Sequence, residues 1–167
     1  MEEKGIDQLR NVIDALKDPK QRTSRRLIVS AWNPLQLDEM ALPPCHIIMQ
    51  FHVRDGEYLS CALLQRSGDV GLGVPFNIAS YAFLTHIIAK HCGLVAEELV
   101  YFLGNAHIYE SHIQPLGEQL LRRDCLFEFP KIRIRRQHED IEDYQIEDVE
   151  WIEQYQYHDT IKMAFVP

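Results

Sequence analysis

Apolar residues recur every three or four positions near the start of the chain. They stand at Ile6, Leu9, Val12, Ile13 and Leu16, a spacing that places them on one face of a helix. Asp18-Pro19 follows, and proline cannot continue a helix. The pattern therefore predicts an amphipathic helix over residues 6 to 17. The segment that follows, residues 25 to 32, is predicted to be a strand.

Between residues 45 and 65 the apolar positions alternate with polar ones, which is the period of a strand with one buried face. The apolar set is Cys45, Ile47, Met49, Phe51 and Val53. Arg54-Asp55-Gly56 is a turn signal, and residues 58 to 65 continue as a second strand. The two segments are predicted to form a β-hairpin.

Helices and strands interleave over the rest of the chain. Residues 78 to 92 contain neither proline nor glycine and end before Gly93, the usual residue after a helix, so a buried helix is predicted there. The remaining predictions are a strand at residues 99 to 103, a helix at 113 to 121, and strands at 131 to 135 and 148 to 155. We expect one α/β (α+β) domain over residues 1 to 167. Its fold would be a layered sandwich with a mixed, mostly antiparallel sheet covered by helices.

The composition argues against several classes of protein. With 46% hydrophobic and 25% charged residues, the chain has the make-up of an ordinary globular domain. No apolar run approaches the roughly 20 residues of a transmembrane helix, and the acidic start is unlike a signal peptide. We therefore expect a cytosolic or nuclear protein without membrane contact. The net charge of -8 argues against nucleic-acid binding, which depends on neutralising phosphates.

The cysteines include one candidate for chemistry. Cys45, Cys61, Cys92 and Cys125 show no paired or Cys-x-x-Cys spacing, so we expect free thiols and no metal site. Cys45 is the sharpest candidate nucleophile, because Arg66 is a cation that would favour its thiolate. The alternative is that Cys45 is a small buried residue on an apolar strand face. A protease-like pair with His46 is set aside, since consecutive strand residues leave opposite faces.

Three further groups are of the ligand-binding type. Arg66 and Ser67 are predicted to end a strand, and a guanidinium beside a hydroxyl suits a phosphate, although a lone arginine is more often a surface cation. Asn77 immediately precedes the predicted helix. It could serve as the helix cap, or its amide could pair with the donor and acceptor edge of uracil. His107 and Tyr109 share one side of a strand end, as a packed pair or as a grip on a sugar hydroxyl.

Four segments together closely resemble thymidylate synthase, and the resemblance runs over about residues 5 to 163. They are Ala41-Leu42-Pro43-Pro44-Cys45-His46, Gln65-Arg66-Ser67-Gly68-Asp69, Pro75-Phe76-Asn77-Ile78-Ala79-Ser80-Tyr81 and Leu103-Gly104-Asn105-Ala106-His107-Ile108-Tyr109. The resemblance implies a symmetric homodimer whose sheets pack together. It also implies reductive methylation of dUMP to dTMP, in which the Cys45 thiolate adds to C6 of uracil and 5,10-methylenetetrahydrofolate supplies the methylene and the hydride.

The resemblance also implies roles for individual residues. Cys45, Arg66 and Asn77 would be catalytic, and asparagine rather than aspartate at position 77 points to uracil instead of cytosine. The residues implied to bind dUMP are Arg25, Arg26, His46, Gln65, Arg66, Ser67, Asp69, Asn77, His107 and Tyr109. Of these, Arg25 and Arg26 would reach the phosphate in the partner subunit. The folate would lie against Leu42, Asp69, Gly73 and Phe76.

The chain also departs from the family pattern. The family's chains begin well before the segment that starts at Gly5, so we expect an upstream or fused N-terminal piece that supplies a phosphate-binding arginine, a glutamate and an aromatic wall for the folate. Without that piece we expect little or no synthase activity. Tyr157 and Asp159 replace prolines common in the family. The last residues of the family's chains close over bound ligands, and the resemblance implies this place for Ala164-Phe165-Val166-Pro167. The alternatives are a pyrimidine nucleotide hydroxymethylase on the same scaffold and a non-catalytic nucleotide-binding or dimerising remnant.

Overall fold

A four-stranded mixed sheet, covered on one face by helices, organises the structure, a computed structural model that describes residues 5–166. The elements are α1 Gln8–Lys17, β1 Ile28–Ser30, β2 His46–Arg54, β3 Tyr58–Asp69, α2 Gly73–His91, β4 Val95–His107, α3 Ile113–Leu120, β5 Ile132–Ile134 and β6 Val149–Trp151. The sheet order is β1-β2-β3-β4. The first three strands are antiparallel, whereas β3 and β4 are parallel and α2 is their crossover. The predicted fold class is confirmed.

Helix α1 begins two residues later than predicted, because Asp7 acts as its N-cap. The Asp7 side chain accepts a hydrogen bond from the backbone N–H of Arg10 at 2.9 Å. Ile6 therefore lies outside the helix and is 77% exposed. The other apolar positions of the predicted face behave as expected, and Val12, Ile13 and Leu16 are buried.

The core lies between the two helices α1 and α2 and one face of the sheet. Its sheet side consists of alternate residues of the hairpin, Phe51 and Val53 on β2 and Leu59 and Cys61 on β3. The opposite face of the sheet, called here the outer face, leaves large apolar residues exposed, namely Ile28, Ile48, Leu64 and Phe102. The predicted hairpin is confirmed, and its turn places Asp55 and Gly56 at positive φ.

Strands β3 and β4 are longer than predicted, because two glycines do not interrupt them. A Cβ atom at Gly104 would lie 2.8 Å from the carbonyl oxygen of Arg66 in the neighbouring strand, and one at Gly68 would lie 2.8 Å from Leu103. Glycine thus lets the strands pair closely here, whereas the sequence pattern treats it as a strand end. The paired ends bring Ser67 beside Asn105 and Asp69 beside His107.

Helix α2 begins at Gly73, five residues before the predicted start. Pro75 falls in its first turn, where the missing N–H costs no hydrogen bond. The predicted burial is wrong for the first turn of the predicted segment, because Ile78, Ala79 and Ser80 are exposed. The second half does pack on the sheet, and the helix ends before Gly93, which has a φ of +67°. Neither α2 nor any other helix within residues 5–166 is long and apolar enough to cross a membrane.

The short strands are shorter than the sequence pattern predicts. β1 covers only Ile28–Ser30, so Arg25 and Arg26 precede the strand that they were expected to begin. β5 and β6 form a separate two-stranded sheet and are three residues each. They pair Ile132 with Trp151 and Ile134 with Val149.

A buried carboxylate fastens this second sheet to the chain around it. The Asp148 side chain is 1% exposed and accepts hydrogen bonds from the backbone N–H of Gln145 at 2.9 Å and from the Arg136 guanidinium. His138 Nε2 lies 2.7 Å from Asp148 Oδ2, the oxygen that also accepts from the Gln145 N–H. The Gln145 N–H and the Arg136 guanidinium hold the pKa of the Asp148 carboxyl well below its usual range.

We expect Asp148→Asn to lower the urea midpoint of unfolding at pH 7. A pKa that is lower in the folded state stabilises the protein above the unfolded value of about 4, and this stabilisation is lost as the pH falls further. The difference in midpoint between the wild-type chain and Asp148→Asn should therefore shrink as the pH is lowered from about 5 to below 4. Asp124→Asn is the control, because that carboxylate is exposed. A difference that is the same at every pH would contradict the prediction.

Candidate active site

An open cleft of about 680 Å³ lies where β3 and β4 end and α2 begins. It is lined by Leu42, Cys45, His46, Gln65, Arg66, Ser67, Asp69, Gly73, Phe76, Asn77, His107 and Tyr109. These are all of the residues that the sequence singled out except Arg25 and Arg26. Gly68, Leu72, Phe165 and Val166 line it as well. The structure thus brings together residues from five separate parts of the chain.

Cys45 lies at the edge of the cleft, immediately before β2, and is partly exposed. The other cysteines differ from it. Burial raises the pKa of the Cys61 and Cys92 thiols to about 11, so both remain protonated at neutral pH. Cys125 is exposed but lies outside the cleft. Among the four free thiols, Cys45 alone combines access to solvent with a place in the cleft.

Arg66 is tied to the segment that carries Cys45. Its backbone N–H donates to the Cys45 carbonyl at 2.8 Å, and its guanidinium donates from Nε to the Pro44 carbonyl at 3.0 Å and from Nη2 to the Pro43 carbonyl at 2.9 Å. These bonds hold a permanent cation next to the residues that precede the thiol. The guanidinium also lies 5.8 Å from the ring centre of Trp32, a cation–π contact.

His46 also faces the cleft, which corrects the expectation that Cys45 and His46 leave opposite faces of a strand. β2 begins only at His46, and the register with β3 shifts between His46 and Ile48, so regular alternation does not extend back to Cys45. The His46 ring packs edge-on against Tyr81, with the ring centres 5.1 Å apart.

Asn77 is not a helix cap. It is the fifth residue of α2, whose N-cap position is Leu72. The Asn77 Oδ1 atom accepts a hydrogen bond from Gln65 Nε2 at 3.0 Å, and the Tyr101 hydroxyl donates to Gln65 Oε1. Gln65 Nε2 also donates to the Ser67 carbonyl at 2.8 Å, and because a carbonyl can only accept, this bond fixes which end of the Gln65 amide points to Asn77. The chain of bonds therefore orients the Asn77 amide as well.

Asp69 organises the loop that leads into α2. Its Oδ1 accepts from the backbone N–H of Gly71 at 2.9 Å, and its Oδ2 accepts from Leu72 at 3.2 Å. A carboxylate that accepts two backbone hydrogen bonds is held in one position. The loop thus keeps a negative charge at the floor of the cleft.

His107 and Tyr109 pack against each other in the wall of the cleft. Their ring centres are 5.3 Å apart, with the planes nearly perpendicular. β4 ends at His107, so Tyr109 lies just beyond the strand that was expected to carry both. His107 Nδ1 lies 3.1 Å from Asn105 Oδ1. With Nδ1–H donating to that amide oxygen, Nε2 carries the lone pair that can accept from a hydroxyl.

Arg25 and Arg26 do not line the cleft. Both are exposed and precede β1. A role for them at a cleft of this kind therefore requires a second copy of the chain.

The structure also brings in residues that the sequence pattern missed. Tyr101 and Trp32 act through Gln65 and Arg66, and Leu72, Phe165 and Val166 form part of the wall. Tyr101 lies on β4 and faces the same side as Leu99 and Leu103, so strand alternation could have placed it. Nothing local in the sequence places residues 165 and 166 beside residues 66 to 77.

Comparison with known proteins gives a consistent result. A family model described as thymidylate synthase matches residues 1–167. Thymidylate synthase from Homo sapiens is 54% identical over 159 residues, which cover 95% of this chain and 49% of that protein. Thymidylate synthase from Equine herpesvirus 2 is 50% identical over 159 residues, which cover 95% and 53%.

A bifunctional dihydrofolate reductase-thymidylate synthase from Plasmodium berghei is 50% identical over 162 residues, which cover 96% of this chain and 26% of that protein. The chain thus spans about half the length of the two thymidylate synthases and about a quarter of the bifunctional protein. The match over the whole of its length shows that the chain belongs to the thymidylate synthase family.

Proposed function

We propose that this chain forms the nucleophile-bearing part of a thymidylate synthase site, in which dUMP is methylated to dTMP with 5,10-methylenetetrahydrofolate. The observation that carries the proposal is the cleft itself, where an accessible cysteine, a tethered arginine and an oriented asparagine amide meet. The names of the relatives at about 50% identity support the same reaction.

Cys45 is the nucleophile in this proposal. Its thiolate adds to C6 of the uracil ring, and the electron pair of the C5–C6 double bond makes C5 nucleophilic toward the methylene of the folate. Arg66, whose guanidinium is held on the carbonyls of Pro43 and Pro44, is the cation next to the segment that carries this nucleophile. C5 then loses its proton to a base, and the bond between the methylene and the folate nitrogen breaks. Hydride transfer from the resulting tetrahydrofolate to the methylene carbon, with release of the Cys45 thiolate from C6, gives dTMP and dihydrofolate.

The rest of the cleft fixes the nucleotide. Arg66 Nη1 has no hydrogen-bond partner among residues 5–166, so with the Ser67 hydroxyl it can bind the substrate phosphate. The Asn77 amide offers a donor and an acceptor to the uracil edge, and His107 with Tyr109 holds the 3′-hydroxyl of the sugar. Positioned groups of this kind lower the barrier because they need no rearrangement during the reaction.

The folate lies on the apolar side of the cleft. Leu42, Gly73 and Phe76 form its wall, and Asp69 offers a carboxylate to the pterin ring. Leu42 and Phe76 are both 72% exposed, which leaves room for a flat ring system against them.

The tests of this proposal use an extended form, in which the part of the human relative that this chain does not match is joined in front of it. We expect 5-fluoro-dUMP with 5,10-methylenetetrahydrofolate to form a covalent adduct with the extended form, observed as a mass increase that maps to Cys45. Cys45→Ser should abolish the adduct, because serine lacks a nucleophile of comparable strength at neutral pH.

Cys125→Ser is the matched control, since Cys125 is exposed and outside the cleft. This variant should form the adduct as the unsubstituted protein does. An adduct that persists in Cys45→Ser would assign the nucleophile elsewhere.

Asn77 sets the preference for uracil in this proposal. Asn77→Asp should lower the ratio of kcat/KM for dUMP to kcat/KM for dCMP by about 10²-fold. A carboxylate has no N–H to donate, so the uracil carbonyl that faces residue 77 would be left without a partner. Steady-state kinetics with both nucleotides measure this ratio.

Asn11→Asp makes the same chemical change on the exposed side of α1 and should leave the ratio unchanged. A ratio that is also unchanged in Asn77→Asp would show that the amide does not read the base.

We further propose that two copies of the chain pair through the outer face of the sheet. Ile48, Leu64 and Phe102 lie in one row across three strands, and Ile28 lies in the neighbouring row. All four are exposed, with Phe102 at 57%. An apolar surface that crosses a whole sheet is typical of an interface, and a twofold mate would present the same rows in return.

This pairing is what allows Arg25 and Arg26 to act. Both are exposed and outside the cleft of their own subunit. In the proposed homodimer they reach the phosphate that is bound in the partner subunit.

Mixing two inactive variants tests both parts of this proposal. An extended Arg26→Ala chain and an extended Cys45→Ser chain should recover activity when mixed, because one hybrid site then holds both intact groups. The formation of dihydrofolate measures the recovery, which should approach roughly a quarter of the unsubstituted activity for random pairing.

Phe102→Lys in both chains is the control, since a charge in the apolar row should prevent pairing. Sedimentation should then show monomers, and complementation should disappear. Heterodimers that form without recovering activity would place Arg26 outside the partner's site.

A further inference from the structure

One fully buried histidine lies behind the wall of the cleft. His112 is 0% exposed and stands between a short 3-10 turn, Glu110–His112, and the start of α3. It is not one of the residues that line the cleft. Its contacts nevertheless reach three separate parts of that wall.

The first contact is with the segment that contributes Phe165 and Val166. His112 Nε2 lies 2.6 Å from the carbonyl oxygen of Ala164. A carbonyl can only accept, so Nε2 carries the hydrogen and donates it. The bond holds Ala164, the residue immediately before Phe165, which lines the cleft.

The second contact is with the loop that leads into α2. His112 Nδ1 lies 3.4 Å from Asp69 Oδ1, an oxygen that accepts from the Gly71 N–H. Nδ1 makes no hydrogen bond within residues 5–166, so this contact is one of packing. The third is with Tyr109, whose ring centre is 5.6 Å from that of the imidazole. One ring therefore adjoins Asp69, Tyr109 and the 164–166 segment.

Packing holds the imidazole in this place. A Cβ atom at Gly71 would lie 2.7 Å from Nδ1 and 3.2 Å from Cγ of His112. The loop thus approaches the ring as closely as a residue without a side chain allows. A small shift of the ring would move the Asp69 loop, the 164–166 segment or both.

A buried histidine often serves only to fill the core and satisfy a neighbouring backbone group. His112 differs because its hydrogen bond to Ala164 and its packing contacts with Asp69 and Tyr109 all belong to segments that line the cleft or adjoin its lining. Loss of the ring should therefore change the cleft before it changes the helices of the core.

We propose that His112 is a positioning residue, which holds the 164–166 segment against the Asp69 loop so that Phe165 and Val166 close the folate side of the cleft. The assignment of this side of the cleft to folate rests on the proposed function, whereas the contacts of His112 with the two segments do not. His112 acts through Asp69 and Ala164 and does not touch the reacting atoms.

Three substitutions separate the bond from the volume of the ring. In His112→Gln the amide nitrogen can reach the position of Nε2 and donate to Ala164. In His112→Asn the shorter amide reaches only the position of Nδ1, and His112→Leu has no donor. His158→Asn is the matched control, because His158 also contacts a carbonyl, that of Cys125 at 2.7 Å, but lies outside the cleft.

The first experiment is limited proteolysis of the 167-residue chain by trypsin, without any ligand. Cleavage after Lys162 reports release of the segment, and cleavage after Lys17 in α1 is the internal reference. We expect cleavage after Lys162 to be about tenfold faster in His112→Leu and His112→Asn, and close to wild type in His112→Gln and His158→Asn.

Equal rates in the wild-type chain and His112→Asn would overturn the proposal. A matching increase after Lys17 would also overturn it, because the histidine would then support the whole fold. If His112→Leu does not fold, His112→Asn and His112→Gln still decide the question.

The second experiment measures kinetics in the extended form. His112→Asn should raise the KM for 5,10-methylenetetrahydrofolate about tenfold while the KM for dUMP changes less than about twofold. A form that ends at Met163 should show the same rise, and adding His112→Asn to it should have no further effect, since both changes remove one contact. Additive effects would overturn the proposal. If the unsubstituted extended form has no activity, the proposed function fails, and the proteolysis alone decides the role of His112.

Discussion

The close parallel pairing of β3 with β4 is the constraint on which the cleft depends. Gly104 leaves room for the backbone of Arg66, and Gly68 leaves room for Leu103. A side chain at Gly104 would meet the backbone of Arg66, so the strands could not pair as closely beyond Gln65, where Asp69 now stands beside His107. The pairing therefore does more than extend a sheet. It carries the charged and polar groups past the edge of the core to a place where a ligand can reach them.

Burial then separates the cysteines by what each can do. Cys61 and Cys92 lie in the core, where the cost of burying a charge keeps them protonated. Cys45 stands just before β2, beside an arginine that is fastened to the two preceding carbonyls. The same interior that stabilises the sheet thus leaves one thiol with both access and a cationic neighbour. Hydrogen bonds from Tyr101 to Gln65 and from Gln65 to Asn77 fix a second set of side chains in the same cleft.

Local patterns in the sequence were sufficient for α1 and the hairpin, because one buried face produces a clear period in each. They failed at the ends of β3, α2 and β4. Glycine and proline usually interrupt an element, but Gly68 and Gly104 serve close pairing, and Pro75 fits the first turn of α2. The error at α2 also produced the helix-cap alternative for Asn77. Motifs identified most residues of the cleft, and strand alternation could have placed Tyr101. The contact between His112 and the chain beside Phe165 joins distant parts of the chain, which no local pattern records.

Alternation along β3 has a consequence for how this protein can vary. Gln65 and Leu63 lie on the face of β3 that is turned to the helices, where Gln65 lines the cleft and Leu63 is buried in the core, whereas Leu64 and Ala62 lie on the outer face. Substitutions at single positions leave this division intact. A one-residue insertion or deletion within the strand would reverse it beyond the change, so that Gln65 would turn away from the cleft and Leu63 would turn to the outer face. We therefore expect evolutionary change in length to accumulate in the loops and to be absent from this strand.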